Sequence, residues 1–222
     1  MTHTARTVIR ASAATMPVIG GPLAVVIEDV WQPRWLRQGR EFVEQLADDV
    51  EAMGAELYAS VDELREALEQ PEVSEVFYRA GQIASVSSHT ATRRRCRAAV
   101  LNTIRQPQNA AYNLRFVRLI DELAPAHFTL LALLEDPTGS TAFASKVENT
   151  MMGSMSGPIA EVLDYDESFV QMLSADLSRR GLGEVPSGMM SAQGLLAKRT
   201  TDLGDRLLEF VRLPVAGDHT DD

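Results

Sequence analysis

At 222 residues the chain is long enough for one sizeable domain or two small ones, and 45% apolar with 23% charged residues is the composition of an ordinary globular protein. Its formal charge of −10 disfavours indiscriminate binding of the whole molecule to nucleic acid or to an anionic membrane. No run of about 18 apolar residues provides for a membrane-spanning helix, and the single cysteine, Cys96, excludes an internal disulfide.

Residues 1–15 are polar and read as a disordered tail. The apolar stretch from Met16 to Val30 is interrupted by Gly20, Gly21 and Pro22 and lacks a small-residue cleavage pattern, so it is not read as a signal peptide, and the expected location is the cytoplasm. Two readings stand for residues 16–31: the edge of a helical core, or an amphipathic element that engages a membrane or a partner. The absence of a basic face favours the first.

A helix follows from Trp35 to Leu57, in which Leu36, Val43, Leu46, Val50, Met53 and Leu57, with Gly39 filling the one gap, recur at spacings of three and four. That row is a seam for another helix, either within the chain or in a second copy, so these six residues are the candidate self-association set. Ser60 and Glu63 have the pattern of a capping box opening a short helix that stops before Pro71. Residues 71–87 continue on Val73, Val76, Phe77, Ala80, Ile83 and Ala84. A further helix runs from Arg93 to Ile104 and ends at Gln106-Pro107. Residues 16–106 are thus expected to form a helical bundle.

Tyr112 to Pro137 reads as two helices joined at a proline. Leu114, Val117, Leu119 and Ile120 share one face of the first, with Arg115, Arg118 and Asp121 opposite. Pro125 suits the first turn of the second helix, where its missing N–H costs nothing. Leu130, Leu131, Leu133 and Leu134 make that helix apolar almost all round, so it is expected to be buried. The methionines of 151–158 read as fillers of irregular core gaps. A short helix is expected over 159–163, then an amphipathic one on Phe169, Val170, Leu173 and Leu177 ending at Gly181, a possible strand at Leu195-Leu196-Ala197, and a last helix capped by Thr201. Residues 107–214 would form the second domain, and 215–222 an acidic disordered tail.

Charge is laid out unevenly. Between Glu41 and Glu75 the only base is Arg65, whereas Val76 to Ile120 carries eight arginines and no acid. Either the acidic and basic helices face each other within the fold, or the arginines form a phosphate- or acid-binding face centred on Arg93, Arg94, Arg95 and Arg97.

The end of the chain has a recognisable order. A helix ending L-x-x-x-L-x-x-R-G-L is present as Leu173, Leu177, Arg180, Gly181 and Leu182, and T-x-L-G-x-x-L-L-x-F as Thr201, Leu203, Gly204, Leu207, Leu208 and Phe210. With the insert between them, this resembles the winged helix of MarR-like regulators over about the last hundred residues. The resemblance implies a first helix at 125–135, a second including 159–163, a recognition-type helix at 168–180 and a β-hairpin wing at 183–200. Taken whole, the chain resembles bacterial helical proteins loosely similar to the Abi-alpha type, which implies an expectation of a role in phage defence. It departs from a DNA reader in the long segment between the first and third helices, and in the acids Asp164, Asp166, Glu167 and Asp176 around the recognition-type helix.

Catalytic chemistry has no signal. His3, His89, His127 and His219 are scattered, with no H-x-x-x-H, paired cysteine or Gly-rich phosphate loop, so no metal, cofactor or small-molecule substrate is expected. His127 reads as a half-buried structural residue. The fold expected is mainly α, a helical bundle followed by a winged-helix-like domain with a short β-hairpin wing. The function expected is a non-catalytic interaction protein with a homo-oligomeric or protein partner. The alternative is a DNA-binding regulator using Arg93, Arg94, Arg95, Arg97, Arg179, Arg180, Lys198 and Arg199, and a weaker one is membrane engagement through 16–31.

Overall fold

A computed structural model describes residues 32–57, 66, 69–106, 109–148 and 151–214, without the side chains of 32–35, 51–57, 110 and 111. The expectations for residues 1–31, for the capping box at Ser60 and for 215–222 lie outside the described residues. Among those described the fold is mainly α, with ten helices and no β-strand. In chain order they are α1 (Gln32–Leu57), α2 (Pro71–Val86), α3 (Thr90–Arg105), α4 (Ala110–Glu122), α5 (Pro125–Glu135), α6 (Thr141–Val147), α7 (Ser156–Leu163), α8 (Glu167–Arg179), α9 (Ala192–Leu195) and α10 (Asp202–Phe210). No helix among the described residues is long and apolar enough to cross a membrane.

The chain divides into two compact units, Met1–Glu122 with Phe210–Asp222, and Leu123–Glu209. The compact units meet at Leu123, whereas the loop at Gln106-Pro107 suggests a boundary at residue 107. The reason is that α4 belongs with the bundle, where it packs on α2 and α3. In unit 1, α2 lies against α1, α3 and α4. Phe42, Leu46 and Val50 of α1, Val76 and Ala80 of α2, Cys96, Ala99 and Ile104 of α3, and Phe116 and Ile120 of α4 are all buried. The segment after α10 is held in this unit by Asn102, whose Nδ2 donates to the carbonyls of Phe210 (2.9 Å) and Arg212 (3.0 Å), and by the Phe116 and Phe210 rings, 5.4 Å apart.

Unit 2 is built on the apolar helix α5. Pro125 occupies its first turn, as its lack of an N–H allows, and Phe128, Leu130, Leu131, Leu133 and Leu134 are buried. Helix α8 packs on α5 through a face of Val170, Leu173 and Leu177, and α7 packs on α8 and α6. Helices α7 and α8 are separated by three residues, 164–166. Asp164 there is left-handed (φ 54°), and the Tyr165 N–H reaches back to the Ala160 carbonyl (2.9 Å), which closes α7 and redirects the chain.

Helix α8 closes in the same manner at Gly181 (φ 70°), where the Leu182 N–H donates to the Leu177 carbonyl (3.0 Å). The final helix then starts against this closure. Thr201 Oγ1 donates to the Gly181 carbonyl (2.6 Å) and accepts the N–H of Gly204 (3.1 Å), and the Thr201 N–H donates to the Leu182 carbonyl (3.0 Å). Gly204 lies so close to that carbonyl that a Cβ would overlap it. The R-G-L and T-x-L-G motifs are therefore two halves of one junction.

The β-hairpin wing is not formed. Residues 183–200 are closed at their base by a single antiparallel bridge, Gly183 to Thr200, and another bridge joins Gly153 to Met190. Leu195, expected in a strand, is on the single helical turn α9, which is capped by Ser191 Oγ accepting from the Gly194 N–H (3.3 Å). One turn suffices to bury Leu195, and the Gly and Ser residues on either side offer no alternating apolar pattern to sustain a strand.

Candidate functional site

Helix α8 is the candidate contact element of unit 2. With Val170, Leu173, Ser174 and Leu177 turned inward, Ser168, Gln171, Met172, Ala175, Ser178 and Arg179 are exposed. Asp176, expected to place an acid toward a bound phosphate, is turned the other way. Its Oδ2 lies 3.4 Å from Nε2 of His127 on α5, and its Oδ1 pairs with Arg179 (3.2 Å). Arg180 Nη1 donates to the Asp176 carbonyl (3.3 Å). His127 is buried rather than half-buried, held between the helices it joins. Glu167 accepts a hydrogen bond from Ser156, tying the start of α8 to the start of α7. The outward face is left short and mainly polar, with one methionine, one arginine and the exposed Glu167 at its start.

The bases of the wing region are engaged. Lys198 Nζ is 2.6 Å from Asp205, a pairing that raises the Lys198 pKa. Arg199 Nη2 donates to the Gly194 carbonyl (2.7 Å) and lies 3.2 Å from the Met190 sulfur. Lys198 and Arg199 thus tie the wing region together, while Arg179 and Arg180 bond to Asp176 on their own helix. The unit as a whole holds twelve acids and six bases.

In unit 1 the arginines of α3 have different surroundings. Arg97 donates through Nε to Asp49 (2.7 Å) and through Nη1 to Gln45 (2.7 Å), both on α1. Arg93 donates to the Ser87 carbonyl (2.9 Å) and to Thr90 Oγ1 (3.2 Å), closing the start of its own helix. Arg95 is part-buried, which draws its guanidinium pKa down, while Arg94 is exposed. Arg79, on α2, pairs with Glu75 (2.8 Å). The acidic and basic helices face each other, as the Arg97 to Asp49 pair joins α3 to α1.

The candidate self-association seam is absorbed by the same bundle. Val43, Leu46 and Val50 are buried within unit 1, because the face they form packs on α2 and α3, so they cannot also meet a second copy. Leu36 is exposed, and the side chains of Met53 and Leu57 lie outside the described residues. Cys96 is buried, and burial, with the nearby Asp121, pushes its thiol up to about 12. It has the environment of an inert core residue. Among the described residues no three His, Cys, Asp or Glu side chains gather as a metal site.

The methionines of 151–158 divide. Met155 fills the core, but Met151 and Met152 are exposed, together with Met172 and Met189. The one signal of this in the sequence is the paired Met151-Met152 beside Gly153, with no apolar periodicity to carry them inward. Comparison with protein-family models, with curated proteins and with solved structures yields no match.

Proposed function

We propose that the chain is a non-catalytic interaction protein whose second unit is a winged-helix-like module used for protein contact rather than for reading DNA. The observation that carries this is the state of the bases in unit 2. Arg179, Arg180, Lys198 and Arg199 are bonded to groups of their own unit, while the exposed charges of α8 are one acid, Glu167, and one base, Arg179. Affinity for DNA rests largely on cations free to meet phosphates, and a unit with twice as many acids as bases repels them. The helix pair α7 and α8 with its three-residue turn supports the winged-helix-like reading, and the capped loop 183–200 stands where a wing would be. A cytoplasmic setting suits the free thiol of Cys96. A phage-defence role is carried by the resemblance to Abi-alpha-type proteins alone.

A polyanion column tests this reading. At about 50 mM salt the full chain is expected to pass through immobilised heparin without retention, and Arg94→Glu to behave identically. Retention of the wild type that is lost in Arg94→Glu overturns the reading in favour of a nucleic-acid face on α3.

A further inference from the structure

Helix α4 carries two arginines that nothing among the described residues engages. Arg115 and Arg118 are both exposed, and as residues three apart on a helix they are neighbours on its surface. Neither makes an ion pair or a side-chain hydrogen bond among the described residues, although Asp121 and Glu122 follow within one turn of Arg118. They differ in this from Arg79, Arg93 and Arg97, whose guanidinium groups are all bonded within unit 1. The chain leaves the described residues from an anchored point beside the same helix. Phe116, the neighbour of Arg115, has its ring 5.4 Å from that of Phe210, and Asn102 of α3 holds the carbonyls of Phe210 and Arg212. Residues 215–222 then contain Asp218, Asp221 and Asp222 and no lysine or arginine. The ten residues from 213 to 222 reach up to about 33 Å when extended. Helix α4, with 13 residues, is only about 20 Å long, so both arginines lie within that reach.

We infer that the acidic segment 215–222 docks on Arg115 and Arg118 of its own chain, an autoinhibitory contact that masks this face of α4 from acidic segments of other molecules. A guanidinium takes a carboxylate through two N–H donors at once, so two arginines suffice to hold two of the three aspartates. Pairs between exposed charges are individually weak. The tether offsets this, because it presents the aspartates at an effective concentration of the order of millimolar, which a free acidic segment at micromolar concentration does not match. An acidic partner therefore occupies this face only by displacing the segment. The contact is electrostatic and open to solvent, so salt releases it. This inference concerns unit 1 alone and does not depend on the reading of unit 2.

The test places an uncharged fluorophore on the full chain through Thr220→Cys, which sits between the aspartates and removes none of them. Cys96 is buried, its thiol pushed up to about 12, and stays unlabelled. The anisotropy of the label is expected to be high at about 10 mM salt and to fall at about 1 M, as the screening length shrinks from about 30 to about 3 Å. Adding Arg115→Gln and Arg118→Gln is expected to give the low value at both salts. Adding Arg94→Gln instead, at an exposed arginine of α3, is expected to leave the high value unchanged. All three arginines are exposed, so the variants should keep the wild-type circular dichroism and melting temperature. The assignment is overturned by an anisotropy that ignores salt, that is equal with and without the two α4 arginines, or that Arg94→Gln lowers as much. It is overturned equally by an anisotropy that rises with protein concentration, which would place the segment on a second copy.

Discussion

Leu46→Asp is expected to unfold unit 1, with a loss of roughly 3–5 kcal/mol of stability, because a carboxylate there has no water and no cation to meet. Leu46 is wholly buried on the face of α1 that packs against α2 and α3. The substitution also separates the two readings of the α1 seam. If the seam served a second copy, the variant would stay folded and merely lose mass in solution. If it serves the bundle, helical circular dichroism and the cooperative urea transition of this unit are lost. The second outcome is expected, and a folded Leu46→Asp monomer would contradict the placement of α1.

Gly204→Ala carries the next largest effect, in unit 2. Alanine is ordinarily the better helix former, worth about 1 kcal/mol over glycine, so by propensity the change should stabilise α10. Here the added Cβ overlaps the Leu182 carbonyl oxygen, a backbone atom fixed by its own hydrogen bond from the Thr201 N–H. The start of α10 must then lift from the Gly181 closure, which breaks the Thr201 bond that holds it. A net destabilisation of about 2–3 kcal/mol is expected, read as a lower urea midpoint. An unchanged or raised midpoint would mean that the junction is looser than its geometry.

Which parts of this architecture the sequence discloses follows from how local the signals are. Helix α5 is legible because Pro125 marks its first turn and four leucines leave it no polar face. Helix α8 is legible because its apolar positions fall on one stripe and Gly181 ends it. The wing is misread because Leu195-Leu196-Ala197 is too short for periodicity to distinguish a strand from a helical turn, and the cap from Ser191 decides it. The loop at residue 107 marks the end of a helix, and α4 beyond it packs on α2 and α3, a contact that no local signal discloses. Asp176 shows the same limit at a single side chain. Its charge is visible in the sequence, but that it turns inward to His127 depends on how α8 lies on α5. The arginine run is visible too, while the engagement of Arg97 with Asp49 and Gln45, about fifty residues earlier, is a property of the fold.

The central claim, that the chain is a protein-contact protein rather than a DNA reader, is tested most directly by fluorescence anisotropy with a labelled random DNA duplex. The full chain would be titrated at about 50 and 200 mM salt, beside the Arg93, Arg94, Arg95→Ala variant. The expected result is no rise in anisotropy for either protein at the lower salt. Binding by the wild type that weakens steeply at the higher salt, and that disappears in the triple variant, would contradict the account and make α3 a nucleic-acid contact.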